Sequence, residues 1–202
     1  MIRTIRQVCL SAALIALGLP AVAQTTSTTQ PTGASIQQRK DNQQDRIANG
    51  VQSGQLTAGE TGNLERKESD INREEKDMRT LDNGHLSAAD KATLNQQQNQ
   101  VSKQIYQDKH NAAVQNTNPK SEVGERQRNQ QERIAQGVKS GQLTAGETAH
   151  LEGREAAENR EIRNDRAANG GKLTSGEKAQ VNRQQNRTSR QIYRDKHNAR
   201  TR

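Results

Sequence analysis

A long segment of this chain is present twice. Residues 44–112 align with residues 131–199 at a constant offset of 87 and without a gap, and more than half of the aligned positions are identical. Within each copy the pattern Gly-x-Leu-Thr/Ser-x-x-Glu/Asp occurs two times. Because each copy must fold in the same way, the duplication predicts a tandem array of two similar structural units.

Apolar residues recur in each copy with the spacing of a helix. In the first copy, steps of seven and four residues separate Leu64, Ile71 and Met78, and then Leu94, Val101 and Ile105. This spacing predicts helices over 36–52, 58–80 and 88–112, and no segment alternates as a strand would. Since the turns are short, neighbouring helices should be antiparallel. The sequence therefore predicts an all-α fold of two tandem three-helix units.

The short pattern supplies a stop and a start for helices. Its glycine suits the left-handed residue that ends a helix. Its Thr or Ser, with an acid three residues later, predicts a capping box at the start of the next helix. The four sets are Gly54, Thr57 and Glu60; Gly84, Ser87 and Asp90; Gly141, Thr144 and Glu147; and Gly171, Thr174 and Glu177.

The N-terminus has the pattern of a secretory signal. Arg3 and Arg6 precede an apolar run over 8–19, and small residues follow up to Ala23. We expect cleavage near Ala23, which removes Cys9 and leaves a periplasmic or secreted protein without a membrane span. The predicted organisation is a signal peptide at 1–23, a flexible Thr/Ser-rich leader at 24–37, helical repeat 1 at 38–113, a linker at 114–127 and helical repeat 2 at 128–202.

The composition predicts a thin core. Only 28% of residues are hydrophobic, and Tyr106 and Tyr193 are the only aromatic ones. Carboxylates such as Glu68, Glu74 and Glu75 are expected on charged helix faces, with their pKa values unperturbed. So narrow an apolar stripe also favours pairing of helices between two chains, that is, a homodimer.

The four turns resemble the second half of an EF-hand calcium loop. In such a loop Gly occupies the sixth place, Thr or Ser the ninth and an acid the twelfth, as in Gln136–Glu147. A calcium loop also needs oxygen ligands at its first, third and fifth places, but every third place here is aliphatic. The turns are therefore interpreted as degenerate, EF-hand-like helix-loop-helix repeats, with calcium binding as an alternative.

The Leu-Thr-x-x-Glu that opens a helix also resembles the Leu-Thr-x-x-Gln motif of the Spy/CpxP family of periplasmic chaperones. That resemblance implies an ATP-independent chaperone that holds unfolded clients in a cradle of helices. The chain departs from the family pattern because Glu or Asp replaces Gln at all four sites and because the segment is duplicated.

Each third helix ends in the same motif, Gln-Ile-Tyr-x-Asp-Lys-His-Asn. Its acid and histidine are candidate transition-metal ligands: Asp108 and His110 in the first copy, and Asp195 and His197 in the second. Tyr and His are one turn apart on the helix. One His and one Asp are too few for a zinc site, so the alternative is that His and Lys complement the helix dipole and Asn ends the helix.

The second copy has a cationic stripe. Arg183, Arg187, Arg190 and Arg194 are spaced four, three and four residues apart, which places them on one helix face. In exchange, the apolar residues Ile71, Met78 and Val101 of the first copy become Glu158, Asp165 and Thr188. The second copy is therefore predicted to have less core and an anion-binding surface, although such a stripe is also typical of a solvated face.

No catalytic motif occurs in the sequence, which predicts a protein that is not an enzyme and needs no cofactor. The expected function is binding or maintenance in the cell envelope, with an anionic envelope polymer or an unfolded protein as the partner. Sequence-specific nucleic-acid binding is not expected, because stacking aromatic residues are lacking. The alternative is a periplasmic protein that binds calcium or a transition metal.

Overall fold

The computed structural model describes residues 35–115, 117 and 120–201. The predicted signal peptide and nearly all of the predicted leader lie outside the described residues. Six helices follow in chain order: α1 (Ile36–Ser53), α2 (Ala58–Leu81), α3 (Ala88–Lys109), α4 (Glu122–Ser140), α5 (Ala145–Ala168) and α6 (Ser175–Lys196). No strand occurs among the described residues. The prediction of an all-α fold is confirmed.

Side-chain hydrogen bonds fix the direction of the helices within each copy. Lys40 of α1 donates to Glu75 of α2 at 2.8 Å, whereas Gln44 donates to Glu65 at 3.0 Å, so α1 and α2 are antiparallel. Helix α3 is parallel to α1. Its bonds from α1 advance together along both helices, from Arg39 to Asn95 and from Gln43 to Gln98 and Ser102.

The two copies pack against each other. Helix α2 lies along α5 and α1 lies along α4, while α3 and α6 contact the helices of their own copy. The α2 and α5 backbones come close at Gly62, where a Cβ would lie 3.6 Å from the Ala149 carbonyl oxygen. Farther along, Gly146 approaches Ser69, so α2 and α5 are antiparallel. This arrangement relates the copies by an approximate two-fold axis.

The cores of the two copies share residues across this axis. Ala48 of α1 packs in the second copy's cluster with Ile134 and Leu151. Its counterpart Ala135 packs in the first copy's cluster. Buried glutamines supplement the apolar residues, since Gln43 donates to the Gln98 carbonyl at 2.7 Å and Gln130 donates to the Gln185 carbonyl at 2.8 Å. Polar side chains thus fill part of a core that the composition predicts to be thin.

Each of the four turns contains a capping box. In every box the Thr or Ser side chain accepts from the backbone of the acid three residues on, and that acid accepts from the Thr or Ser backbone. The preceding glycines have positive φ, such as +72° at Gly54 and +74° at Gly141. Leu56 and Leu143 precede two of the caps and are fully buried. Gly54 and Gly141 cap the ends of α1 and α4 as predicted, but α2 and α5 end earlier, with Asp82 and Asn169 as caps, so Gly84 and Gly171 lie within the turns.

Some boundaries differ from those predicted. Helix α1 begins at Ile36 as the periodicity predicts, since Ser35 caps it, so residues 36 and 37 are helical and do not belong to the predicted leader. Residues 122–127 belong to α4 instead of a linker, because Ser121 accepts from the Gly124 backbone and starts the helix there. Helix α3 ends at Lys109, short of residue 112, because Asn111 turns back to donate to Glu60 at 2.7 Å.

Candidate functional site

The arginine stripe of α6 borders a groove of about 620 Å³. Arg187, Arg190 and Arg194 line the groove from α6, and Arg154 lines it from α5. Arg183 lies one turn before these residues and is not part of the lining. The fold therefore brings three of the four predicted arginines together and adds a fourth that sequence spacing on a single helix does not reveal.

The guanidinium groups around this groove are not neutralised by ion pairs. Within the described part of the chain, none of the four lies within 4.0 Å of a carboxylate. Arg187 donates to the Arg183 carbonyl at 3.4 Å, and Arg194 donates to the side chain of Gln191. Arg187, Arg190 and Arg194 are exposed, whereas Arg154 is half-buried. The groove thus presents several free donors to an anion.

Tyr193 is the aromatic residue of the groove. The residue is 62% exposed, and its ring stacks on His197, with the ring centroids 4.2 Å apart. The first copy has the same pair, Tyr106 and His110, with the same separation. The sequence spacing predicts that Tyr and His are neighbours one turn apart, and the structure confirms it.

The predicted metal ligands take part in local hydrogen bonds. Nδ1 of His110 donates to the Tyr106 carbonyl at 2.7 Å, and Asp108 accepts from Gln104 at 2.7 Å. His197 and Asp195 have the same bonds in the second copy. Over the residues that the structure describes, no three His, Cys, Asp or Glu side chains are grouped to hold a metal ion. Metal binding at these residues stays a prediction.

The acids of the EF-hand-like turns are also used within the fold. Glu60 accepts from the Thr57 backbone at 2.9 Å with one oxygen and from Asn111 at 2.7 Å with the other. Glu147 is held in the same way by Thr144 and Asn198. Burial raises the pKa of Glu147, but these hydrogen bonds and the charge of Arg200 outweigh it, so the pKa is lowered. The asparagine that ends each Gln-Ile-Tyr-x-Asp-Lys-His-Asn motif thus holds the capping acid of a turn in the same copy.

A row of buried carboxyl groups follows the inner face of α5. Glu152, Glu155 and Glu158 are at most 3% exposed. Burial raises the pKa of Glu152 to about 8, against a hydrogen bond from Gln131. Burial also raises the pKa of Glu155 well above its usual value, and the neighbouring charges of Glu158 and Glu152 raise it further. Both Glu155 oxygens lack hydrogen-bond partners among the described residues.

Glu158 belongs to the same row. Burial raises its pKa to about 7, in spite of a hydrogen bond from Gln185. Glu158 and Thr188 therefore stay in the core positions of Ile71 and Val101, which the sequence did not predict. These positions remain buried, so the second copy has a more polar core and not the smaller core that the sequence predicts.

The prediction that the acids of α2 lie on charged helix faces is wrong for two residues, and the prediction of an unperturbed pKa is wrong for Glu75. Glu68 is 1% exposed and Glu75 is 8% exposed. Burial raises the pKa of Glu75, but hydrogen bonds from Lys40 and Arg79 outweigh it, and the pKa is lowered. Helical periodicity of the apolar residues did not reveal these acids because it takes only apolar side chains as buried, whereas Glu75 is buried beside Lys40 of α1.

Of the helices described here, none has a stretch long and apolar enough to cross a bilayer. Comparisons of the chain with protein-family models, with curated proteins and with solved structures found no match.

Proposed function

We propose that this chain is an exported, non-enzymatic binding protein whose second copy binds an anionic polymer of the cell envelope. The observation that carries the proposal is the groove between α5 and α6, where four arginines meet and none has a carboxylate of the described residues within 4.0 Å. The planar guanidinium group matches sulfate, phosphate and carboxylate groups with paired hydrogen bonds. An envelope polysaccharide that bears such groups is the partner that fits this groove best.

The same helix of the first copy offers a comparison. Gln100, Lys103 and Gln107 of α3 occupy the positions of Arg187, Arg190 and Arg194, and Lys67 of α2 occupies that of Arg154. These positions carry two positive charges in the first copy and four in the second. We therefore assign polymer binding to the second copy, with the first copy as a scaffold that shares its core.

An unfolded protein client is a weaker candidate. A surface that holds unfolded chains needs a contiguous apolar patch. The large hydrophobic residues that are exposed in the described part of the chain are Leu81, Tyr106, Val114 and Tyr193, on separate elements. Suppression of the aggregation of a denatured test protein, without ATP, would favour the chaperone alternative over the polymer.

The proposal is tested by the retention of the mature chain on an immobilised sulfated polysaccharide. The double variant Arg187→Gln/Arg190→Gln should elute at a clearly lower salt concentration, because two of the groove's donors are lost and the attraction is screened by salt. The matched control is Lys91→Gln/Lys103→Gln, which removes two exposed charges from α3. Equal shifts for both double variants would show that net charge, and not the groove, determines retention.

A further inference from the structure

A second cationic groove lies between the two copies. It has a volume of about 620 Å³ and is bordered by the N-terminal part of α2, the C-terminal half of α5 and the connecting segment at Gln115. Gly59 of α2 and Gly153 of α5 lie in its wall, and open space surrounds the position of a Cβ at both. The groove exists only because the copies pack together, so no single repeat predicts it.

Of the described residues that line this groove, four are arginines and none is an acid. Arg66 comes from α2, and Arg160, Arg163 and Arg166 follow one another every third residue on α5. In the described chain, none of these guanidinium groups is within 4.0 Å of a carboxylate. Arg66 donates only to neutral acceptors, the Gly62 carbonyl at 3.0 Å and the Asn63 side chain at 2.7 Å.

The positive end of a helix opens into the same groove. The first backbone N–H of α2, at Ala58, donates to the side-chain oxygen of Gln115 at 3.1 Å. A helix N-terminus stabilises negative charge through its free N–H groups and its dipole. Because the Ala58 N–H already donates to Gln115, this helix end adds its dipole to the positive potential of the groove but no free donor at Ala58.

Comparison of the two copies shows that this charge is not a general property of the repeat. Arg73, Lys76 and Arg79 of α2 are the counterparts of Arg160, Arg163 and Arg166. Arg73 donates to Asp70 at 2.7 Å and Arg79 donates to Glu75 at 2.8 Å, which neutralises them.

In the second copy these two carboxylates are absent. Ala157 replaces Asp70 and Ile162 replaces Glu75, while the cationic residues are kept. The arginines of α5 consequently have no acid to bind on their own helix face. Free cations that converge on a concave surface are the arrangement of an anion-binding site.

We propose that this groove binds a compact anion with several phosphate groups. Residues three apart on a helix rise about 4.5 Å, so the three α5 arginines span about 9 Å. That length suits a short row of phosphates, each held by a guanidinium fork. The lining that the structure describes has no aromatic residue for a nucleobase to stack on, so the phosphates themselves are the recognised group. This inference is independent of the polymer-binding proposal, which uses a different groove.

Isothermal titration of the mature chain with inorganic tripolyphosphate tests the site. The wild-type chain should bind tripolyphosphate at least about tenfold more tightly than orthophosphate, since several arginines engage a single ligand. A third titrant, fructose 1,6-bisphosphate, carries its two phosphates on a sugar. Its affinity relative to that of tripolyphosphate distinguishes sugar-borne phosphates from a linear phosphate chain. Failure of all three titrants to bind would overturn the proposal.

The variants separate this site from the other groove. Arg160→Gln/Arg163→Gln should weaken tripolyphosphate binding about tenfold or more, whereas the counterpart Arg73→Gln/Lys76→Gln removes the same charge and should change it less than about threefold. Arg187→Gln/Arg190→Gln removes two cations from the other groove, and a loss larger than that of Arg160→Gln/Arg163→Gln would place the tripolyphosphate there and overturn the proposal. The exposed side chains of Arg160 and Arg163 make no hydrogen bond in the described structure, and an unchanged circular dichroism spectrum would show that the variant is folded. Equal losses in the matched double variants would contradict the proposal.

Discussion

At the scale of the residue, the two copies differ in where they place one buried acid. The first copy has Ile71 and Glu75, and the second has Glu158 and Ile162 at the same positions. Glu75 is bound by Lys40 and Arg79, each at 2.8 Å. Gln127 replaces Lys40 in the second copy, so Glu158 lies at a buried position without an ion pair within 4.0 Å in the described residues. The buried acid is therefore stabilised by ion pairs in the first copy, whereas in the second copy its burial lowers stability when it is ionised.

The raised pKa values predict how stability depends on pH. Glu152 and Glu158 have pKa values of about 8 and about 7 in the folded chain, against 4.5 for an ordinary Glu. Folding thus favours their neutral form, and this contribution is complete below the ordinary value and is lost as the pH rises through 7 to 8. We expect the melting temperature to be several degrees higher near pH 5.5 than near pH 8.5.

Amide variants identify the groups responsible. Glu152→Gln should raise the melting temperature near pH 8.5 and flatten its fall with pH, because an amide cannot ionise. The exposed Glu132→Gln on α4 should leave the pH profile unchanged. A wild-type melting temperature that increases steadily from pH 5.5 to pH 8.5 would contradict this explanation, since Glu75 and Glu147, with lowered pKa values, lose their contribution only at lower pH.

At the scale of the element, a glycine near the end of α1 and another near the end of α4 each contact a leucine from the turn that follows. A Cβ on Gly137 would lie 2.6 Å from Leu143 Cδ1, and Gly50 has the same relation to Leu56. Both leucines are fully buried and follow the left-handed glycine that ends the helix. The two glycines therefore allow each leucine to fold back over the end of its helix.

Two alanine substitutions should have opposite effects. Gly137→Ala is expected to destabilise the chain by about 1–3 kcal/mol, because Leu143 must move out of its packed position. Gly153→Ala, inside α5 with open space around its Cβ, is expected to stabilise it by about 0.5–1 kcal/mol through helix propensity alone. Urea unfolding monitored by circular dichroism measures both, and destabilisation of equal size in the two variants would contradict the packing argument.

The capping boxes make a separate prediction. Thr144→Ala removes the acceptor for the Glu147 backbone and a donor to its carboxylate, and should cost about 1 kcal/mol of unfolding free energy. Thr93→Ala, at an exposed position inside α3, should be close to neutral and serves as the control. If chemical denaturation gives the same small change for both, the cap does not determine where α5 begins.

The elements could be predicted from sequence because their signals are local. Each cap, such as Thr57 with Glu60, lies within four residues, and the short motif marks it four times. The acids of the inner face, such as Glu152, could not be placed, because their burial depends on packing between helices that are distant in sequence. The groove arginines Arg154 and Arg160 were missed for the same reason: they meet their neighbours across helices and copies, at distances in sequence that no periodicity encodes.

At the scale of the whole molecule, the two copies form one cooperative structure. Ala48 and Ala135 each lie in the cluster of the opposite copy, and α2 packs along α5. Unfolding one copy would therefore expose apolar surface of the other. We expect a single thermal transition, with equal calorimetric and van't Hoff enthalpies. Two resolved transitions would show that the copies are independent domains.

The approximate two-fold axis has a consequence for how charge can be distributed over the molecule. Had the units been separate identical chains, α2 would pack on α2 and every substitution would appear on both sides of the axis at once. Covalent tandem fusion removes that constraint. One half of the pair can retain the acids that hold its arginines, at Asp70 and Glu75, while the other half loses them and leaves its arginines free. The fusion thus allows a symmetric architecture to carry charge on one side only.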